Sequence, residues 1–174
     1  WPGNVRELAN VLERALLVSD NDCLEALDFE GVMPAPKVLA ASRRIEMAEV
    51  VAQAAVQAGY QRLGITGTRW LVDSEVYPGK LAVVGVQAVR PSVAEREEIG
   101  RIIMDELVCG IFKPESVARF QAVFSRLQAE GCDAVVLGCT EIPLIMSDAN
   151  SPLPTLDSTR LLARAALARA VGVS

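Results

Sequence analysis

Apolar residues recur along this chain with two different spacings, and the alternation between them predicts its elements. From Asn4 to about Ser19 the spacing is helical, with Leu8, Val11, Leu12, Ala15 and Leu16 on one face. Asn4 and Glu7 stand in a capping-box arrangement at its start. Ser19 to Asp22 is turn-like, and Val32 to Lys37, with Pro34 and Pro36, predicts a linker. A second helix is expected from about Arg43 to Ala58, with Glu46, Glu49, Gln53 and Gln57 on its polar face and Gly59 ending it. Arg62 to Thr66 predicts a short buried strand, Gly67-Thr68-Arg69 the loop after it, and Leu81 to Val89 a second, valine-rich strand.

Two further helices are expected. Val93 to about Ile111 carries a stripe of Ile99, Ile102, Ile103 and Leu107. Pro114 to Glu130 carries Val117, Phe120, Phe124 and Leu127, with Pro114 suited to a first helical position. Asp133 to Leu137 is a continuous apolar run, the pattern of a strand buried on both faces of a parallel sheet. Pro152 to Leu156 predicts a last short strand, and Asp157 or Ser158 a cap for a terminal helix through Ala170. Strands that alternate with helices imply an α/β fold: a parallel sheet of about four strands with flanking helices, plus an N-terminal helical appendage. The expected division is 1–34 for the appendage, 35–44 for the linker and 45–174 for the α/β lobe.

Composition narrows the chemistry. The net charge is −5 and the basic residues are scattered, whereas a nucleic-acid face needs clustered cations. No apolar run approaches the roughly 20 residues that span a bilayer. With no secretory signal visible, the expected setting is the reducing cytoplasm, with free thiols. The first residue is Trp1, which suggests a processed chain or a fragment.

There is no histidine, and the only lysines are Lys37, Lys80 and Lys113. Acid–base chemistry near neutral pH must therefore come from a thiol, a shifted carboxyl or a shifted lysine. The four cysteines, Cys23, Cys109, Cys132 and Cys139, include no C-x-x-C pair, so no metal site is expected. Core packing is the expected role of Cys109 and Cys132, and Cys23 has no visible partner.

Ligands of open parallel sheets bind outside the carboxyl ends of the strands. Three loops fall there: Gly67-Thr68-Arg69, Gly138-Cys139-Thr140-Glu141 and Asp157-Ser158-Thr159. A helical turn after Cys139 is expected to lower the thiol pKa from its reference of about 8.5 and so populate thiolate. The plain alternative is a cysteine packed as a small hydrophobe. Glu141 is a second acid–base group or a partner for the helical turn. Thr68, Thr140 and Thr159 can hydrogen-bond a carboxylate or satisfy loop backbone. Arg69 is either a partner for a substrate carboxylate or a surface residue.

The string Gly138 to Leu144, GCTEIPL, is similar to the second catalytic-cysteine motif of the aspartate/glutamate racemase family. The resemblance extends in order over LGITGTR (Leu63 to Arg69), AEREEIGRIIMDEL (Ala94 to Leu107) and LPTLDST (Leu153 to Thr159). It implies one lobe of a two-lobed fold, with thiols on opposite sides of an amino-acid Cα and neither pyridoxal phosphate nor metal. Carried over by residue, it makes Cys139 the acid/base of this lobe. Thr68, Thr140 and Thr159 would bind the substrate, and Glu141 would be a polar neighbour tuning the thiol. The implied partner is a small acidic amino acid.

In the family another lobe, with its own base, precedes the segment that begins near Ile45. Here Trp1 to Asp20 instead resembles the end of the ATPase domain of bacterial enhancer-binding transcription activators of the AAA+ class, in which the Arg6 position senses nucleotide. The chain lacks a phosphate-binding glycine loop and an acidic magnesium motif, so ATP hydrolysis is not expected. The expected picture is a junction of an activator tail with half a racemase. A homodimer or a separate partner lobe would then have to supply the missing base. The alternatives are a non-catalytic domain that binds an acidic metabolite, and an activator fragment with the lobe as passenger.

Overall fold

The computed structural model describes residues 45–171. The helix expected from Asn4, the turn and linker after it, Cys23 and the Arg43 start of the second helix lie outside the described residues.

Helix α1 spans Met47–Ala58 and buries Ala48, Val51, Ala52 and Ala55, the small-residue side of its sequence. Gly59 ends it in the left-handed conformation (φ 78°). Strand β1 (Arg62–Thr66) follows, then the short helix α2 (Arg69–Asp73) and helix α3 (Val76–Val83). Strand β2 is Gln87–Val89 and helix α4 is Val93–Ile102, started by a capping box between Ser92 and Glu95. A π-helical turn, Ile103–Leu107, extends α4. Helix α5 (Pro114–Ala129), strand β3 (Ala134–Leu137), a 3₁₀ turn (Ile142–Leu144), strand β4 (Thr155–Asp157) and helix α6 (Ser158–Ala170) complete the order.

All strands are parallel, in the order β2-β1-β3-β4. Successive β3 side chains enter opposite halves of the core. Val135 and Leu137 join α4 and α5 through Ile99, Phe120 and Phe124. Ala134 and Val136 join α1 and α3 through Val51, Tyr77 and Leu81. Each large side chain sealed in this way contributes roughly 1.5–3 kcal/mol. Glycine lets α5 lie close to the sheet, because a Cβ on Gly64 would stand 2.7 Å from Leu127 Cδ1. At the amino-terminal edge, Asp133 accepts from the backbone N–H of Gln61 at 2.7 Å, tying β3 to β1.

Two expectations need correction. Leu81 to Val89 is not one strand: its first part ends α3, and only Gln87–Val89 pairs with β1. Tyr77 and Leu81, four residues apart, both bury on the same cluster, so helical packing overrides the β-preference of the valines. Val83 is left 84% exposed. Likewise the helix from Val93 does not reach Ile111. The Glu106 carbonyl accepts from both Cys109 and Ile111 N–H, and the Glu106 carboxylate turns inward to Ser116 Oγ at 2.5 Å. Cys109 consequently lies exposed beyond the helix rather than in the core, whereas Cys132 is buried as expected. Among the described residues, no helix is long and apolar enough to cross a membrane.

Candidate functional site

The strand order places the topological switch point between β1 and β3, since the chain leaves β1 toward β2 on one side and returns to β3 on the other. A crevice for ligands opens outside the carboxyl ends of such strands. The loops bordering it are Gly67-Thr68-Arg69 and Gly138-Cys139-Thr140-Glu141. They are drawn together by the Gly138 N–H, which donates to the Thr66 carbonyl at 2.9 Å. Only glycine fits at 138: a Cβ there would stand 2.6 Å from Thr66 O and would also overlap Leu71. The residue before the thiol is thus dictated by how closely the two strands converge.

Cys139 is half-buried. One side packs against the cluster of α4 and α5, so the hydrophobic-packing alternative describes part of the residue. Its Sγ donates to Glu141 Oε2 at 2.6 Å. Thr140 Oγ1 donates to Glu141 Oε1, also at 2.6 Å, so both carboxylate oxygens are engaged within the loop. Burial, then the adjacent Glu141 carboxylate, push the Cys139 thiol up to about 11; the backbone N–H groups of Glu141 and Ile142 pull the other way. Hydrogen bonds from Cys139 and Thr140 hold the Glu141 carboxyl below its ordinary value.

The expected lowering of the thiol pKa is therefore corrected. The turn after Cys139 is only the three-residue 3₁₀ segment, and its amides are outweighed by desolvation and a neighbouring anion. The resting pair is a protonated thiol beside an ionised carboxylate.

The other expected site residues are not all brought together. Thr68 occupies the N-cap position of α2, but its side chain makes no cap hydrogen bond. It lines a cavity of about 370 Å³ between α2 and α4. Arg69, on the same cavity, is exposed and has no ion pair among the described residues. Thr159 is half-exposed in the first turn of α6 and makes no side-chain hydrogen bond to the Cys139 loop. A second cavity, of about 210 Å³, opens on the other side of β3, against Leu137, Pro143 and Asp157. Cys139 lines neither cavity and stays half-buried, on a ledge at the carboxyl edge of the sheet. Among the described residues, no group of three or more His, Cys, Asp or Glu is placed to hold a metal ion.

Three buried hydroxyls support this ledge; of these the sequence pointed only to Ser158, and as a helix cap. Thr66 Oγ1 donates to Val136 O at 2.7 Å, and Ser158 Oγ donates to Leu137 O at 2.8 Å. They hold the last turn of β3 from both sides, and Ser158 rather than Thr159 makes the connection from α6. The Tyr77 ring lies within 3.6 Å of where a Gly138 Cβ would be. Its hydroxyl is close enough to Ser158 to feel it, yet no hydrogen bond of ordinary geometry satisfies it among the described residues, and burial raises its pKa. The helical i, i+4 spacing of Tyr77 and Leu81 was the signal that would have put this ring under the site.

Residues 44–166 match the family model for the Asp/Glu/Hydantoin racemases, and residues 1–44 match that of an AAA+ ATPase lid domain. The "uncharacterized protein in pnlA 3′ region" of Pectobacterium carotovorum subsp. carotovorum is 27% identical over 124 residues, 68% of this chain and 79% of that protein. Nitrogen fixation protein AnfA of Azotobacter vinelandii is 55% identical over 29 residues, 17% of this chain and 5% of its own length. Among solved structures, a Yersinia pestis protein proposed to be an Asp/Glu racemase superposes with a TM-score of 0.70 at 30% identity, covering 84% of this chain and 61% of that one. An aspartate racemase homologue from Pyrococcus horikoshii gives 0.68 at 25% identity, covering 83% and 60%. Picrophilus torridus aspartate racemase gives 0.58 at 25% identity, covering 74% and 52%. The chain thus spans 52% to 61% of the length of these racemase-related structures.

Proposed function

The chain belongs, over residues 44–166, to the Asp/Glu/Hydantoin racemase family, and from this we propose that its α/β unit carries one side of a cofactor-independent proton transfer at the Cα of a small acidic amino acid. The observation that supports this most is the Cys139–Glu141 pair, 2.6 Å apart at the carboxyl edge beside the switch point. The proposed organisation is a lid-like segment at 1–34, a linker at 35–44 and the proton-transfer unit at 45–174.

With the thiol protonated and Glu141 ionised, Cys139 is set to act first as an acid. It delivers its proton to a carbanion at Cα and is left as a thiolate beside an anion. That thiolate is disfavoured by burial and by Glu141, which drives it to take a proton back from the next Cα–H. Glu141 is thus a positioning and tuning group, holding the S–H direction and raising the basicity of the sulfur. The hydroxyls of Thr68, Thr140 and Thr159, with Arg69, are assigned to the substrate carboxylates. Thr140 would first release Glu141.

A single sulfur returns a proton only to the face from which it took one. Inversion therefore needs a second acid/base on the opposite side of Cα. We assign that group to another chain or lobe, either a second copy or a partner. A reduced thiol is required throughout, which suits a cytoplasmic setting.

The test combines chiral chromatography with calorimetry. The full chain is incubated with L-aspartate or L-glutamate, and D-enantiomer that disappears in Cys139→Ala is the expected result. Binding heat without any turnover would favour a metabolite-binding domain. Neither binding nor turnover would defeat the acidic-amino-acid assignment.

A further inference from the structure

Under the thiol ledge a phenol is buried with its polar end unsatisfied. Tyr77, on α3, is 1% exposed, and its hydroxyl has no hydrogen bond of ordinary geometry among the described residues. Phenylalanine would fill the same space in the cluster of α1 and α3 without burying an oxygen, so packing does not call for the hydroxyl. Its surroundings do. The ring lies 3.6 Å from where a Gly138 Cβ would be, against the residue that precedes Cys139. Ser158 is the polar side chain near enough to act on the phenol. Ser158 is itself 1% exposed, and its hydroxyl donates to Leu137 O at 2.8 Å. A serine oxygen whose proton is committed can only accept, whereas a phenol kept protonated by burial has a proton to offer. The direction is therefore fixed, from the Tyr77 O–H toward Ser158 Oγ and from the Ser158 O–H to the carbonyl of the Leu137–Gly138 peptide. The N–H of that same peptide donates to Thr66 O at 2.9 Å, so its plane is held at both ends.

We propose that Tyr77 and Ser158 are positioning residues for the thiol. The phenol orders the serine hydroxyl, the serine fixes the Leu137–Gly138 peptide, and that peptide sets how deeply Cys139 Sγ sits and whether it meets Glu141. Neither residue touches the sulfur. Even short of ordinary hydrogen-bond geometry, a phenol proton facing the serine oxygen favours the rotamer that points the serine proton at Leu137 O. Burial, and then the Glu141 carboxylate, keep the proton on Cys139, and Glu141 is the charged group that acts on the thiol. A loosened peptide would hydrate the loop and part Sγ from Glu141 Oε2, now 2.6 Å away, which weakens both influences at once. The inference rests on the acid–base reading above only for its consequence in turnover; the positioning itself is read from the thiol.

The test is the pH profile of Cys139 alkylation by iodoacetamide on the full chain, followed at that residue by peptide mass spectrometry and needing no substrate. Tyr77→Phe and Ser158→Ala should each move the rise in rate to lower pH by about one unit, so that Cys139 reacts roughly tenfold faster at mildly alkaline pH. Because the two hydroxyls act in series, the double variant should move it no further than Ser158→Ala alone. Val51→Ala, which thins the same core cluster without touching this chain of hydroxyls, should lower the unfolding temperature and leave the rise in place. A rise that stays in place in Tyr77→Phe overturns the proposal. So does one that Val51→Ala moves as far, which would make loosened packing the cause. A profile that shifts as expected in a chain that exchanges no proton at Cα leaves the positioning standing and removes the acid–base reading instead.

Discussion

The loops leaving β1 and β3 occupy equivalent places on either side of the switch point, yet only one carries a thiol set against a carboxylate. Both open with a glycine packed against Leu71, Gly67 and Gly138. After Gly67 come a hydroxyl that caps nothing and an exposed guanidinium. After Gly138 come a thiol and a carboxylate locked together at 2.6 Å. Topology decides where a ligand can lie; in the proposed mechanism the side chains then divide the work, one loop holding and the other exchanging protons.

The sharpest way to break that division is Cys139→Ala. It should reduce proton transfer by roughly 10²–10⁴-fold, the usual contribution of a positioned acid/base, while thermal unfolding changes little. Gly138→Ala tests the convergence that places the thiol. Its methyl would press on Thr66 O and Leu71, so we expect about 1–3 kcal/mol of destabilisation in urea unfolding. The same change on a flexible loop would cost almost nothing.

Glu141→Gln probes the coupling within the pair. In the native chain the thiol is raised from 9.0 to about 11 by burial and by Glu141. Alkylation of Cys139 by iodoacetamide should therefore stay slow at pH 8 and accelerate only toward pH 11. Removing the neighbouring charge should move that rise to lower pH, while burial keeps it above the ordinary value. Because the folded chain holds this proton more tightly than the unfolded chain, the associated stability is fully present below pH 9 and is lost as pH climbs toward 11. The smallest effect is expected from Thr68→Ala on the holding side: about 1 kcal/mol, seen as roughly fivefold weaker binding of an acidic amino acid with the turnover rate preserved. A fall in turnover instead would mean that the β1 loop takes part in the chemistry.

Much of the fold was legible because burial leaves a local trace. The runs RLGIT and DAVVL gave β1 and β3, and the Phe120–Phe124–Leu127 stripe gave α5. The failures share one cause: long-range packing overriding local preference. The valines after Leu81 favour a strand, but Tyr77 and Leu81 bury together and hold the first of them in a helix. Cys139 could be singled out as a candidate from its place after a continuous apolar strand and from the GCTEIPL string. The direction of its pKa could not, since that depends on how deeply the sulfur is packed and on Glu141 folding back two residues to meet it. Ser158, which ties α6 to β3 by donating to Leu137 O, could not be found in this way, because a strand carbonyl brought in from far along the chain leaves no local trace.

The central claim is that this ledge exchanges a proton at Cα, and deuterium incorporation tests it most directly. The full chain is held with L-aspartate or L-glutamate in deuterium oxide, and the α-proton signal is followed by NMR. The account predicts loss of that signal as deuterium enters at Cα. A signal that persists undiminished while the amino acid is demonstrably bound would contradict it.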